Sequence, residues 1–125
     1  MSGNRYLLDT NAIIALLQGD SNLIQLLKNA KWIGISIISQ LEFLAFSGLE
    51  EDDIKLFQQF LGEIEVCDLF SENEFLINHI ISLRQRYRLK LPDAIITATA
   101  NEKSATLVTR DARLITITDV KVVDW

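Results

Sequence analysis

Four acidic residues of this 125-residue chain lie at similar points, where a short apolar run gives way to a longer amphipathic one. They occur in RYLLDTNAII (5–14), SIISQLEF (36–43), LKLPDAIITATA (89–100) and LVTRDARL (107–114), and are Asp9, Glu42, Asp93 and Asp111. Carboxylates that converge can hold a hard divalent cation, and a cation with open positions can activate water for hydrolysis. The chemistry that these residue types indicate is therefore metal-assisted hydrolysis.

Each acid alone also has a structural explanation. Asp9 and Asp111 can cap helices or turns, because Asp accepts hydrogen bonds from free N–H groups at a helix start. Ser39 and Glu42 have the spacing of a capping box. Pro92 fits the first position of a helix, and Asp93 then suits its first turn. One such acid is not evidence of a site, so the elements around all four must be considered.

The apolar runs predict strands, and the amphipathic stretches between them predict helices. The strands are expected at 5–9, 32–37, 63–69, 105–109 and 120–125, and the helices at 10–18, 21–30, 39–47, 51–61, 71–88 and 92–103. This alternation indicates an α/β fold, in which a mainly parallel, roughly five-stranded sheet is sandwiched between helices. With one Pro and no linker-like tract, we expect residues 1–125 to form a single domain.

A parallel sheet brings the carboxyl ends of its strands to one edge, so the four acids are expected to converge there. Two carboxylates about 5 Å apart repel by roughly 3 kcal/mol at an effective dielectric near 20, and four multiply that cost. A bound cation offsets this repulsion. Oxygen ligands favour Mg²⁺ or Mn²⁺, and one His and one Cys exclude a Cys/His zinc site.

These motifs together resemble the PIN-domain ribonucleases, most closely the small VapC-like toxins of toxin–antitoxin pairs. The matching stretches are LLDTNAII, SIISQLE, LPDAIITATA and LVTRD, in the order found in that family and over residues 6–111. Each motif is short, but the four motifs in this order are specific for the family. The resemblance implies a three-layer α/β/α sandwich of the PIN type.

The resemblance further implies a metal-dependent endoribonuclease that hydrolyses RNA phosphodiesters with a metal-activated water, leaving 5′-phosphate and 3′-hydroxyl ends. Asp9, Glu42, Asp93 and Asp111 match the acidic quartet that is both catalytic and metal-binding, with Mg²⁺ or Mn²⁺ as cofactor. Asn11, Thr109 and Thr10 would give this site polar support. The implied partners are an RNA substrate, a cognate antitoxin and a second copy of the chain in a homodimer.

Positive charge is concentrated late in a chain whose net charge is −5. Arg84 and Arg86 belong to a basic run before the Asp93 helix, and Arg110 and Arg113 flank Asp111. For Arg84 and Arg86, one interpretation is that cations favour a helix C-terminus. The other is that these four arginines bind RNA phosphates, for which Arg110 and Arg113, nearer the predicted metal site, are the better candidates.

Other features favour ordinary structural roles. His79 and Cys67 lie in apolar surroundings, which predicts a core or interface histidine and a buried, inert thiol. The acidic run 50–53 predicts solvated first-turn acids. Of Phe43, Phe46, Phe57 and Phe60, some are expected in the core, and any exposed remainder would form a groove for an antitoxin helix or a dimer surface.

The longest uncharged runs are about half the ~18 residues that a membrane span requires. The start, MSGNRYLL, lacks a secretory pattern. We therefore expect a cytoplasmic protein without a membrane partner. The alternative to an enzyme is a domain that keeps this fold as a non-catalytic binding module, with the acids serving only as helix caps. An aspartyl-nucleophile phosphohydrolase is disfavoured, because Asn11 stands where its second Asp is required.

Overall fold

The computed structural model describes residues 4–125, which form five strands and seven helices. The strands are β1 (Arg5–Leu8), β2 (Trp32–Ser36), β3 (Glu65–Cys67), β4 (Thr106–Val108) and β5 (Val122–Val123). The helices are α1 (Thr10–Leu17), α2 (Ser21–Leu27), α3 (Ile37–Leu44), α4 (Glu51–Leu61), α5 (Glu74–Tyr87), α6 (Leu91–Glu102) and α7 (Ala112–Ile115). Residues 1–3 lie outside the described residues. Two predictions cover them: that residues 1–125 form one domain, and that the start of the chain lacks a secretory pattern.

The strands form one sheet in the order β3-β2-β1-β4-β5, and every neighbouring pair is parallel. In register, Leu7 of β1 lies between Gly34 of β2 and Leu107 of β4. The chain runs outward from β1 to β3 and then returns to place β4 on the other side of β1. This reversal puts the switch point of the sheet between β1 and β4, and the predicted α/β fold is confirmed.

Helices cover both faces of the sheet, which explains why its strands are nearly continuous in apolar residues. Leu7 and Leu107 point into one core, formed with α5 and α6, whereas Leu8 and Val108 point into the other. In this second core the rings of Phe43 and Phe57 stack with centroids 4.1 Å apart. Alternate residues of one strand thus pack against the two helical layers on opposite faces of the sheet.

The start of α3 differs from the prediction. The helix begins at Ile37, and the Ser36 hydroxyl caps it by accepting the N–H of Ile38 at 3.1 Å. Glu42 consequently lies in the second turn instead of the first. The predicted Ser39–Glu42 capping box is wrong, since Ser39 is buried and its hydroxyl has no hydrogen-bond partner within residues 4–125.

Helix α6 begins at Leu91, one residue earlier than predicted, so Pro92 occupies its second position. The N–H groups of the first helical positions have no partner within the helix, so Pro, which lacks an N–H, is accommodated at the second position. Asp93 lies in the first turn, as predicted.

Several smaller predictions are confirmed. Cys67 is buried, and burial raises the pKa of its thiol to about 11. The acids of the 50–53 run begin α4, where the Asp53 carboxylate accepts the N–H of Glu50 at 3.0 Å. His79 is mostly buried and lies 3.5 Å from a carboxylate oxygen of Asp119. Within residues 4–125, no helix is long and apolar enough to cross a membrane.

Candidate active site

Asp9 follows β1 directly and caps α1, beside the switch point of the sheet. Its Oδ1 accepts the N–H of Ala12 at 2.8 Å, and its own N–H donates to the carbonyl of Val108 at 3.2 Å. Only 7% of the residue is exposed. Burial raises the pKa of this carboxyl; hydrogen bonds from Thr109 and Ala12 oppose the shift, and Asp111 and Asp93 add to it. A carboxylate held in this way is costly to ionise without a cation nearby.

Thr109 connects the acids that follow β1 and β4. Its hydroxyl accepts the N–H of Asp111 at 3.0 Å and also lowers the pKa of the Asp9 carboxyl. The residue is fully buried, so its side chain has little freedom. Thr109 therefore interacts with both acids, and its supporting role in the site stays a prediction.

Asp111 caps α7, as the sequence allowed, although α7 itself was not among the predicted helices. Its Oδ1 accepts the N–H of Arg113 at 2.9 Å, and its Oδ2 accepts a guanidinium N–H of the same residue at 2.8 Å. These hydrogen bonds hold the pKa of Asp111 below its ordinary value. Asp111 thus stays ionised more readily than Asp9 or Asp93, whose pKa values burial raises.

Asp93 lies across from Asp111, in the first turn of α6. Burial raises the pKa of its carboxyl, the Arg113 charge opposes that shift, and Asp111 and Glu42 reinforce it. The guanidinium of Arg113 reaches Asp93 Oδ2 at 3.3 Å. The same arginine therefore contacts two of the four predicted acids.

Glu42 approaches the cleft from α3. Its Oε1 accepts the Thr10 hydroxyl at 2.7 Å, which ties the second turn of α3 to the first residue of α1. Glu42 is exposed, in contrast to Asp9. Thr10 thereby orients an acid at the rim of the cleft.

One open cleft of about 530 Å³ contains all four acids, with Thr10 and Asn11 beside them. The remaining lining residues are Ala45, Phe46, Ser47 and Ile96. None of these four was predicted to line the site; Ala45, Phe46 and Ser47 come just after α3, and only the packing of that helix places them here. The predicted convergence of acids from β1, α3, α6 and β4 matches this geometry.

The donor chemistry of this cleft fits a hard divalent cation, because its titratable ligands are carboxylates alone. Within residues 4–125, no three acidic, His or Cys side chains already stand at the spacing of one ion's ligands. Each acid has a partner within the protein: Asp9 accepts the N–H of Ala12, Glu42 accepts the Thr10 hydroxyl, and Asp93 and Asp111 accept N–H groups of Arg113.

The four arginines suggested for substrate binding occupy different places. Arg113 lies at the acids, whereas Arg110 pairs with Asp124 at 3.2 Å and stacks on the Trp125 ring at 4.4 Å. Arg86 pairs with Asp119 at 3.1 Å, and Arg84 donates to the carbonyl of Leu89 at 3.2 Å beyond the end of α5. Only Arg113 contacts the acidic group in this geometry, and RNA binding by any of the four remains a prediction.

Two apolar cavities lie along α1 and α4. The first, about 310 Å³, is lined mainly by α1, the α3–α4 connection and α4, and the second, about 450 Å³, by α1, α2 and α4. They share Leu17 and Leu56, and we call them together the apolar groove. Phe46 and Ser47 line both the first of these cavities and the acidic cleft, so the groove leads to the cleft.

The fold and the cleft together define a class: an all-parallel α/β domain that gathers carboxylates at its switch point. The PIN domain family model matches residues 6–120, and the chain therefore belongs to the PIN domain family. The family resemblance of the four motifs is confirmed. PIN-domain nucleases generally use divalent metals, which agrees with the donor chemistry of the cleft.

Solved structures support the same assignment. The chain is 29% identical to a chain of a toxin–antitoxin complex from Klebsiella pneumoniae, with a TM-score of 0.78 and coverage of 94% of this chain and 95% of that one. It is 25% identical to a chain of VapBC2 from Rickettsia felis, bound to promoter DNA, with a TM-score of 0.78 and coverage of 97% and 98%. VapBC-1 from nontypeable Haemophilus influenzae gives 25% identity, a TM-score of 0.76 and the same coverage. No curated protein matches the sequence significantly.

Proposed function

We propose that this chain is the toxin of a toxin–antitoxin pair and acts as an endoribonuclease that depends on Mg²⁺ or Mn²⁺. The observation that carries the proposal is the convergence of Asp9, Glu42, Asp93 and Asp111 on one cleft at the switch point of a PIN fold. The similarity to chains solved as parts of toxin–antitoxin complexes supports the biological role.

The four carboxylates would hold the cation, and RNA would lie across the open cleft. When bound, the cation supplies positive charge against the phosphate and lowers the pKa of water. Asp9 is already oriented by Ala12 and Thr109, so little freedom is lost when it binds. Glu42 uses Oε1 to accept the Thr10 hydroxyl, which leaves Oε2 to face the cation. A carboxylate of the cleft accepts a proton from the attacking water, in-line attack on phosphorus breaks the bond to the 3′ oxygen, and that oxygen takes a proton from solvent to leave 5′-phosphate and 3′-hydroxyl ends.

An RNA cleavage assay tests this proposal. The wild-type chain should cut RNA in Mn²⁺ and not in EDTA, with 5′-phosphate and 3′-hydroxyl ends identified by end-specific ligation. Asp93→Asn should reduce the rate by at least about a hundredfold, the loss typical of removing one group that stabilises charge in the transition state. Glu51→Gln, an exposed acid of α4, is the matched control and should cut normally. Unchanged cleavage by Asp93→Asn would contradict the proposal.

The non-catalytic alternative has an observation in its favour, because Asp9 and Asp111 do cap α1 and α7. Capping does not account for the other two acids. Glu42 lies in the second turn of α3, and the side chain of Asp93 is hydrogen-bonded by Arg113 instead of by a helix N–H. A binding module would retain RNA without cutting it in Mn²⁺, so the same assay separates the two functions.

We infer that the antitoxin binds in the apolar groove. The groove exposes Leu56 of α4, and its junction with the acidic cleft exposes Phe46. Phe46 is the exposed one of the four phenylalanines from which a groove for an antitoxin helix or a dimer surface was expected. An apolar helix of the antitoxin would bury these side chains. Because Phe46 and Ser47 line both the first cavity of the groove and the acidic cleft, a segment that leaves the groove at that end reaches the acids and can block them.

We also propose a homodimer, a cytoplasmic location and one PIN domain for residues 1–125. Exposed leucines on α3 and at the start of α6, Leu41 and Leu91, offer apolar surface for a second copy. Light scattering of the purified chain gives its mass in solution and tests the dimer.

A further inference from the structure

Arg113 occupies the space that separates two of the proposed metal ligands. Its Nε and one terminal nitrogen bond the two oxygens of Asp111 at 3.2 and 2.8 Å, a bidentate arrangement. The same terminal nitrogen reaches Asp93 Oδ2 at 3.3 Å. A planar guanidinium with a fixed fork of donors suits such pairing better than an ammonium does.

A divalent cation that bridges Asp93 Oδ2 and Asp111 needs oxygens that this guanidinium bonds, because Arg113 contacts both Asp111 oxygens and Asp93 Oδ2. A metal–oxygen distance is about 2.0–2.2 Å for Mg²⁺ or Mn²⁺, so the ion and the guanidinium cannot share the gap between Asp93 Oδ2 and Asp111 Oδ2. Two like charges at that separation also repel. Occupation by one cation therefore excludes the other.

We propose that Arg113 is a displaceable internal counter-ion, which competes with the divalent cation for Asp93 and Asp111 and so sets the cation concentration at which the cleft loads. This proposal rests on the proposed function, because it presumes that the four acids are the metal site. Arg113 is a positioning residue in this account and need not touch the substrate.

The surroundings of Arg113 allow this exchange. Its side chain is 56% exposed, so it loses little burial when it swings away from the acids. Asp111 keeps its cap on α7 through the backbone N–H of Arg113, which does not depend on the guanidinium. The arginine can thus leave while the turn that carries it stays in place.

Calorimetric titration of Mn²⁺ into the RNA-free full-length chain tests the proposal. Arg113→Gln should lower the Kd for Mn²⁺ about tenfold relative to wild type, since a charge-assisted bidentate pair no longer has to be broken. Arg113→Lys keeps the positive charge but loses the planar pair of donors. Its Kd for Mn²⁺ should therefore lie between those of the wild type and Arg113→Gln. Arg110→Gln is the matched control: it removes a neighbouring charge that pairs with Asp124, and should change Kd by less than about twofold.

A second measurement follows Arg113 itself. The NMR signal of its Nε–H group should shift as Mg²⁺ is added, because the hydrogen bond to Asp111 is lost, and the signal of Arg110 should not. Circular dichroism of each variant in EDTA establishes that it is folded.

The possible failures are distinguishable. Equal Mn²⁺ affinity for wild type and Arg113→Gln, or an unshifted Arg113 signal at saturating Mg²⁺, would overturn the competition and leave the proposed function intact. If neither the wild type nor Arg113→Gln binds Mn²⁺ at millimolar concentration, the metal site and the competition both fail. Binding by Arg113→Gln alone would support the competition strongly.

Discussion

Asp9 is held in surroundings that favour its neutral form, although a metal ligand must be ionised. Its cap on α1 explains part of this placement, because the Ala12 N–H is satisfied by Oδ1. The cap does not require the proximity of Asp93 and Asp111, which raises the pKa of Asp9 further. The residue therefore combines a structural role with an electrostatic cost at neutral pH, which a bound cation would offset.

This cost predicts how Asp9→Asn changes stability. Since the pKa of Asp9 is raised above its ordinary value of 3.8 in the folded chain, the unfolded chain releases this proton at lower pH. Stability of the metal-free fold thus declines as pH rises from 3.8 through the native pKa, and the full penalty applies at neutral pH. Asn keeps the cap and carries no charge, so in EDTA at pH 7 the variant should melt roughly 2–5 °C above wild type.

Mn²⁺ should reverse this order, because ligand binding to the folded state raises the melting temperature only of a chain that binds it. The wild type should gain stability in Mn²⁺, and Asp9→Asn should gain much less. Differential scanning fluorimetry in EDTA and in Mn²⁺ gives both numbers. If Asp9→Asn and wild type melt together under both conditions, Asp9 is a cap and nothing more.

Cys67 gives a prediction independent of the site. Burial raises the pKa of its thiol from an ordinary value of 9.0 to about 11. At pH 8 the reactive thiolate is then about a hundredfold scarcer than in a free thiol, and access is blocked as well. Iodoacetamide should label the native chain at least that much more slowly than the chain in denaturant, as measured by mass spectrometry. Equal rates would show that β3 opens readily.

Among the elements, β2 depends on a glycine at its centre. A Cβ on Gly34 would lie 2.3 Å from Cη2 of Trp32, two residues earlier in the strand. The Trp32 ring cannot move freely, because its Nε1 donates to Glu65 at 3.2 Å and the Arg5 guanidinium lies 4.5 Å above it. The absence of a side chain at Gly34 therefore allows Trp32 to cover the strand.

Gly34→Ala should accordingly lower the free energy of unfolding by about 1–3 kcal/mol, the usual cost of overpacking. Urea denaturation measures this. Gly62→Ala is the control: a Cβ there meets its nearest atom at 3.4 Å in a right-handed conformation, so the change should be small. Combining Gly34→Ala with Trp32→Ala should remove most of the added loss, and an additive double variant would contradict the clash.

The element boundaries show what the sequence could and could not predict. All five strands lie within the predicted ranges, because burial on both faces leaves a continuous apolar run that is hard to mistake. The predicted start of α3 was wrong because two serines, Ser36 and Ser39, both precede residues that suit a helix. Which of them caps the helix depends on where β2 ends against its neighbours, and that is a tertiary contact.

At the scale of the whole molecule, the sheet order explains why distant acids meet. The return of the chain from β3 to β4 places the ends of β1 and β4 side by side, and α3 and α6 bring Glu42 and Asp93 to the same edge. The parallel alternation allowed this convergence to be predicted. The bridge made by Arg113 was not predictable, since Arg110 and Arg113 flank Asp111 alike in sequence and only their side-chain paths distinguish them.

The proximity of the apolar groove to the acidic cleft leads to a prediction about the intact toxin–antitoxin pair. Leu56 is 42% exposed and lines both cavities of the groove but not the cleft. Leu56→Asp places a charge where an apolar antitoxin helix would be buried, which should weaken binding by about 2–4 kcal/mol. Its RNA cleavage in Mn²⁺ should match wild type, because the acids and their partners are untouched. Calorimetry with the antitoxin of the proposed pair, together with the cleavage assay, measures both effects. The variant should therefore escape inhibition at antitoxin concentrations that silence the wild type, and equal inhibition of the two would place the antitoxin elsewhere on the molecule.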